Sequence, residues 1–130
     1  MHKRVWATAL LAVAVPATAM ACRCGPLSAA RAYRLADAVV LARVETAEGP
    51  ANGRRYRLRV RESWKRPQPA DLSIVGAANT CAQALEPGRE YLLYLAAEPD
   101  GRFTTDRCSG NLPAEAARAR LRSLRKPARG

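Results

Sequence analysis

Four cysteines constrain the fold of this chain more than any other feature: Cys22, Cys24, Cys81 and Cys108. A bridge between Cys22 and Cys24 would close a very small, strained ring. The sequence therefore predicts that each of these two is bonded to a distant partner, one to Cys81 and the other to Cys108. The spacing does not decide which of the two is bonded to Cys81 and which to Cys108. A four-thiolate zinc site is the alternative, but the spacings lack the paired Cys-x-x-Cys motifs that such sites favour.

The first 21 residues have the layout of a secretory signal peptide. Lys3 and Arg4 precede an apolar run over residues 5–15, and a small-x-small cleavage site follows at residues 19–21. The run is too short to cross a bilayer, which takes about 20 residues. Cleavage after residue 21 would place Cys22 at the N-terminus of a secreted or periplasmic protein. An even number of cysteines in an oxidising compartment predicts two disulfides.

The remaining chain, residues 22–130, has 109 residues, which is enough for one modest hydrophobic core. We predict one domain over residues 22–125 and a mobile basic tail over residues 126–130. Loss of Lys3 and Arg4 leaves 20 basic residues against 11 acidic ones, a formal charge of +9. A surface of this charge favours anionic neighbours such as membrane headgroups, polyanions or an acidic protein.

The only histidine, His2, lies in the predicted signal peptide. The exported protein then has no imidazole, which excludes Ser-His-Asp and Cys-His nucleophilic mechanisms. The carboxylates are scattered over predicted loops and strand ends without a motif. We expect a protein that is not an enzyme and that has no cofactor.

The hydrophobic pattern predicts five strands. The first is apolar on both faces and indicates a central strand, whereas the second alternates cleanly between apolar and arginine positions. The predicted strands cover residues 37–46, 54–64, 71–75, 89–97 and 102–107. Five antiparallel strands in one small basic domain favour an all-β fold, a five-stranded Greek-key barrel of the oligonucleotide/oligosaccharide-binding (OB) type.

Two helices are predicted, one at each end of the barrel sequence. Ser28 can cap a short helix that ends at about Leu35. Asn111 and Pro113 begin a second helix that ends at about Arg125. The predicted inner positions are Ala32, Leu35 and Ala36 in the first helix, and Ala117, Leu121 and Leu124 in the second.

The order of these features resembles one protein family. In chain order, the features are the Cys-x-Cys-x-Pro start at residues 22–26, the segment 36–44, the segment 56–67, Cys81, the segment 90–93 and Cys108. Together they are similar to the N-terminal, netrin-like domain of the tissue inhibitors of metalloproteinases. The chain looks like a bacterial-type single-domain relative, matched from residue 22 to about residue 124. The resemblance implies an OB-type barrel in which Cys22 pairs with Cys81 and Cys24 pairs with Cys108.

The resemblance also implies a function, which is inhibition of a zinc metalloprotease. The N-terminal amine and the carbonyl oxygen of Cys22 would chelate the zinc of the target protease and displace its water, so that the inhibitor needs no metal of its own. Arg23 would enter the protease pocket beside the zinc, where family members carry a small hydroxyl residue. The inhibitory wedge implied in this way consists of Cys22, Arg23, Cys24, Gly25 and Pro26.

The alternative is an exported or lipid-anchored module that binds a partner or polyanion without inhibiting a protease. Residues 19–22 are a poor lipobox, and an acyl group on Cys22 would leave an odd number of free cysteines. Nucleic acid is not expected, because Tyr56, Tyr91 and Tyr94 fall on predicted core faces and not on an exposed stacking surface. We expect a monomer. The candidate basic patch comprises Arg57, Arg59 and Arg61 on the second strand, and Arg118, Arg122 and Arg125 on the second helix.

Overall fold

A computed structural model describes residues 2–14 and 21–127 of the chain. Residues 2–14, the main part of the predicted signal peptide, form neither helix nor strand and are exposed. The predicted cleavage-site residues 19 and 20 lie outside the described residues, as do residues 128–130 of the predicted tail. Cys22 is bonded to Cys81 of the barrel sequence.

The elements follow the predicted order, with two additions, a sixth short strand and a 3-10 helix. The helices are α1 (Ala29–Leu35) and α2 (Arg118–Arg125), and a 3-10 helix (Ala114–Ala116) precedes α2. The strands in the described ranges are β1 (Ala38–Glu48), β2 (Arg55–Trp64), β3 (Asp71–Gly76), β4 (Glu90–Ala97), β5 (Phe103–Thr105) and β6 (Leu112–Pro113).

The first five strands form a closed barrel, and the predicted fold class is confirmed. The strand order is β1-β2-β3-β5-β4, and β4 pairs with β1 to close the sheet. The short β6 pairs with the part of β4 that β5 does not reach, at Tyr91 and Leu92. Strands β3 and β5 are parallel, whereas the sequence pattern predicted antiparallel strands throughout. The alternation of side chains is the same in both arrangements, so it does not distinguish them.

Strand β1 is buried on both faces, as its sequence predicted. Val40 and Val44 point into the barrel, and Val39 and Leu41 pack under the two helices. The neighbouring strand β4 is also buried on both faces. Leu93 lies inside the barrel, whereas Leu92 and Tyr94 face the helices. The domain therefore has two hydrophobic layers, the barrel interior and a second layer between the sheet and the helices.

Two helix predictions are corrected by the structure. Helix α1 is capped by the hydroxyl of Ser28, as predicted, and buries Ala32 and Ala36, but Leu35 is 64% exposed. The buried stripe follows the four-residue spacing from Ala32 to Ala36, which leaves Leu35 beside it in solvent. The second helix begins at Arg118 instead of near Asn111, because the chain before it is held in an extended conformation against β4.

Lys65 joins the end of β2 to the end of α1. Its ammonium group donates hydrogen bonds to the carbonyls of Tyr33 (2.7 Å), Arg34 (2.9 Å) and Ala36. A positive charge at the C-terminus of a helix satisfies free carbonyls and complements the helix dipole. Lys65 has a φ of 71°, which turns the chain back over the helix end after Trp64. This contact holds α1 against the barrel.

Candidate functional site

The segment predicted as the wedge is attached to the barrel at two points. Cys22 is bonded to Cys81 and Cys24 to Cys108, with Cα–Cα distances of 4.9 and 5.1 Å. This is the pairing that the family resemblance implied, and it is confirmed. Arg23 is exposed between the two bridges. The segment thus has no regular secondary structure of its own, and covalent bonds hold it in place.

The two loops that carry the distal cysteines are themselves well hydrogen-bonded. The backbone N–H of Arg107 donates to the Cys81 carbonyl (2.9 Å), and the Arg107 side chain donates to the Ala82 carbonyl (3.1 Å). The carboxylate of Asp106 accepts hydrogen bonds from the Cys108 N–H (2.8 Å) and the Ser109 hydroxyl (3.0 Å). The bridges therefore tie the N-terminal segment to ordered loops.

Asn111 links these loops to the strands, a role that sequence reasoning missed. Its side-chain oxygen accepts from the Tyr94 N–H (2.8 Å), and its amide nitrogen donates to Gln83 (2.9 Å), Thr105 (2.8 Å) and the Asp106 carbonyl (3.2 Å). These partners lie on β4, on β5, in the loop before β4 and directly after β5. The only local signal was an asparagine before a proline, which was interpreted as a helix start.

We expect Asn111→Asp to lower the free energy of unfolding by about 3 kcal/mol. The substitution keeps the size of the side chain but turns an amide that donates to three oxygens into a carboxylate that repels them. Chemical denaturation followed by circular dichroism would measure the change. The matched control is Asn52→Asp in an exposed turn, for which the expected change is within about 0.5 kcal/mol. Equal effects at the two positions would contradict the role given to Asn111.

Two buried tyrosines hold the loop that contains Cys81. The Tyr56 hydroxyl donates to the Gln83 carbonyl (3.2 Å) and accepts from the Leu85 N–H (3.3 Å), and the Tyr91 hydroxyl accepts from the Glu86 N–H (3.0 Å). The predicted burial of Tyr56, Tyr91 and Tyr94 is confirmed, at 2 to 3% exposure. All three tyrosines pack in the core, and Tyr56 and Tyr91 also form hydrogen bonds with the loop. They present no exposed surface on which a base could stack.

The remaining wedge residues are exposed. Gly25 and Pro26 both face solvent, and a Cβ added at Gly25 would meet no atom within 4 Å. The fold therefore does not restrict the size of residue 25. Gly110, in contrast, has a φ of +98°, and an added Cβ would lie 2.9 Å from that of Ala32. The close approach at Gly110 packs the loop after Cys108 directly on α1.

The sulfur atoms of Cys22, Cys81 and Cys108 lie within 4.8 Å of one another, with Cys22 Sγ and Cys108 Sγ 3.6 Å apart. This proximity follows from two adjacent disulfides. Metals bind thiolates, and a sulfur that is bonded in a disulfide has no thiolate to offer. The four-thiolate zinc alternative therefore does not fit the oxidised protein.

Half of the candidate basic patch is paired with carboxylates. Arg59 contacts Asp71 (3.1 Å), Arg61 contacts Glu90 (2.7 Å) and Arg125 contacts Glu62 (2.9 Å). The hydrogen bond that the Arg61 guanidinium donates to Glu90 is the main cause that raises the pKa of Arg61. Within residues 2–14 and 21–127, no carboxylate lies within 4.0 Å of the side-chain nitrogens of the other three members, namely Arg57, Arg118 and Arg122.

No model of a known protein family matches the chain, and no curated protein matches it at a significant level. The resemblance to the metalloproteinase inhibitors thus depends on the residues quoted above and stays a prediction. The two disulfides indicate a location outside the cytoplasm. None of the helices in the described ranges is sufficiently long and apolar to span a membrane.

Proposed function

We propose that the chain is exported, is cleaved after Ala21, and inhibits a zinc metalloprotease through its new N-terminus. The observation that carries this proposal is the placement of Arg23. It is an exposed residue whose two neighbours, Cys22 and Cys24, are each bonded to a different loop of the barrel. After cleavage, the free α-amine would belong to Cys22, a residue that its disulfide already fixes to the fold.

The chemistry of that amine supports the proposal. A catalytic zinc in a protease keeps one coordination position for water. The amine and carbonyl of an N-terminal cysteine form a five-membered chelate that can replace this water. The amine must be unprotonated to bind, and a reference α-amine titrates near ~7.7 to 8.0. We therefore expect binding to weaken as the pH falls below this range.

The two bridges favour binding by restricting the free protein. A flexible N-terminus loses conformational entropy when it enters an active site, whereas an N-terminus held by two disulfides has lost most of it beforehand. The Cys22–Cys81 bond also favours this proposal over the lipid-anchored alternative, because a sulfur in a disulfide cannot carry a thioether-linked lipid. Protein that is anchored through Cys22 would have Cys81 free.

Intact mass and an inhibition assay test the proposal together. The exported protein should have the mass of residues 22–130 with four hydrogens fewer than its reduced form, two for each bridge. It should then inhibit at least one zinc endopeptidase stoichiometrically, without removing the zinc. A lipid mass at Cys22, or full activity of every zinc endopeptidase tested at micromolar concentrations of the protein, would overturn the proposal.

Arg23 would determine which proteases are inhibited. A cation that enters an apolar pocket without a partner is costly to desolvate, so the preferred target has an acidic group in the pocket beside its zinc. We expect Arg23→Thr to shift the preference towards proteases with an apolar pocket, by about tenfold in the ratio of inhibition constants. Inhibition constants for one protease of each kind would measure the shift.

The matched control for this prediction is Arg57→Thr. Arg57 is also exposed, and it lies on β2 instead of the N-terminal segment. The Arg57→Thr substitution removes the same charge from the protein, so a general electrostatic effect on inhibition would appear in both variants. An inhibition profile that Arg23→Thr leaves unaltered would count against the wedge.

A further inference from the structure

A groove of about 630 Å³ lies between α1, α2 and the end of β2. Its walls are mainly apolar and aromatic, and the larger side chains that line it are Tyr33, Trp64, Tyr94 and Leu124. Cavities of roughly 300 to 1,000 Å³ with apolar walls and a few polar groups are the usual form of small-molecule sites. The groove has the size and composition of such a site.

Two guanidinium groups, those of Arg34 and Arg120, also line the groove. In the part of the chain that the structure describes, neither has a carboxylate oxygen within 4.0 Å of its nitrogens. Arg120 is half-buried and held in place, because it donates to the Gly110 carbonyl (2.8 Å) and lies 5.9 Å from the centre of the Tyr94 ring. The groove thus combines an apolar surface with positive charge that no described carboxylate neutralises.

Lys65 strengthens this positive field. Its ammonium nitrogen lies 5.3 Å from the centre of the ring of Tyr33, a residue that lines the groove. The three carbonyls of the α1 terminus that it binds are neutral groups, and none of the carboxylates in the described ranges lies within 4.0 Å of its nitrogen. An anion in the groove would therefore experience attraction from three cations, of which Arg120 and Lys65 are held by hydrogen bonds.

We infer that this groove binds a small amphiphilic carboxylate. The apolar chain of the ligand lies against Trp64, Tyr33 and Leu124, and its carboxylate pairs with Arg34 and Arg120. Guanidinium groups bind carboxylates through two parallel hydrogen bonds, which are stronger than those between neutral groups. A neutral or cationic ligand with the same chain lacks this pairing. The inference does not depend on protease inhibition.

Trp64 reports directly on this site. The chain has two tryptophans, and Trp6 belongs to the predicted signal peptide, so Trp64 is the only one in the exported protein. Decanoate, below its micelle-forming concentration, is the probe, and 1-decanol and decyltrimethylammonium are the comparison ligands. We expect a saturable change in Trp64 fluorescence, with decanoate binding at least about tenfold more tightly than either comparison ligand. Preparations that retain the N-terminal segment would carry Trp6→Phe.

Arg34→Gln should weaken decanoate binding about tenfold. The control is Arg31→Gln, which removes the same charge from an exposed residue of the same helix that does not line the groove. It should change binding less than about twofold. Four results would overturn the inference: no saturable response, equal binding of decanol and decanoate, equal effects of the two variants, or a response only to vesicles of anionic lipid.

Discussion

One inserted alanine between Ala21 and Cys22 is expected to abolish inhibition of the target protease, with a loss of about a thousandfold or more in affinity. After cleavage, the α-amine would stand one residue away from the disulfide-bonded cysteine, a displacement of about 3.8 Å. The amine and carbonyl that could chelate the zinc would then belong to the inserted alanine, which no disulfide holds. Loss of the fixed chelate and a steric clash at the zinc correspond to at least about 4 kcal/mol.

The insertion should leave the fold intact, because both disulfides and the barrel remain. Intact mass and the denaturation midpoint of the inserted protein would confirm this. The matched control is one alanine inserted between Lys126 and Pro127, which adds the same residue to an exposed segment after α2, outside the wedge. Its inhibition constant should stay within about threefold of the natural protein's. If the inserted protein inhibits as well as the natural one, the amine is not the zinc ligand.

The double variant Cys24→Ser, Cys108→Ser is expected to lose about 3 to 4 kcal/mol of the free energy of unfolding. Because the Cys22–Cys81 bond remains, the removed bridge closes an effective loop of about 29 residues, and closing such a loop removes conformational entropy from the unfolded chain. Total stabilities of single domains are about 5 to 15 kcal/mol, so the variant should lose a large part of its stability. Urea denaturation followed by circular dichroism would measure the loss.

This variant also separates stability from function. It keeps the Cys22–Cys81 bond and the Cys22 amine, and it releases only the second attachment of the wedge. Inhibition should weaken even at temperatures where the variant is folded, because the free N-terminal segment must now be ordered during binding. A loss of stability below about 1 kcal/mol would show that packing of α1, and not the bridge, fixes this end of the chain.

Much of the barrel was predictable from residue patterns. The alternation in β2, with Tyr56 and Leu58 inward and Arg57 and Arg59 outward, is a local consequence of strand geometry and is confirmed by their burial. The apolar run in β1 indicated burial on both faces, which the barrel and the helices provide. Turn residues marked the ends of the strands for the same local reason.

The features that the sequence did not predict depend on contacts between distant residues. Lys65 was assigned to a loop, and its role at the end of α1 involves carbonyls 29 to 32 positions away. Asn111 was assigned to a helix start, whereas its amide connects β4, β5 and the loop before β4. No periodicity marks either residue, because each acts alone and its partners are brought to it by the fold.

The sequence by itself determined the strand-forming segments, the cap of α1 and the requirement that Cys22 and Cys24 find distant partners, since backbone geometry and ring strain act over a few residues. Tertiary structure alone decided that Cys22 meets Cys81 and not Cys108, that β3 and β5 run parallel, and that Trp64 and Arg120 share a groove. These outcomes depend on how the closed barrel brings remote segments together, and the free energy of that closure is distributed over the whole chain.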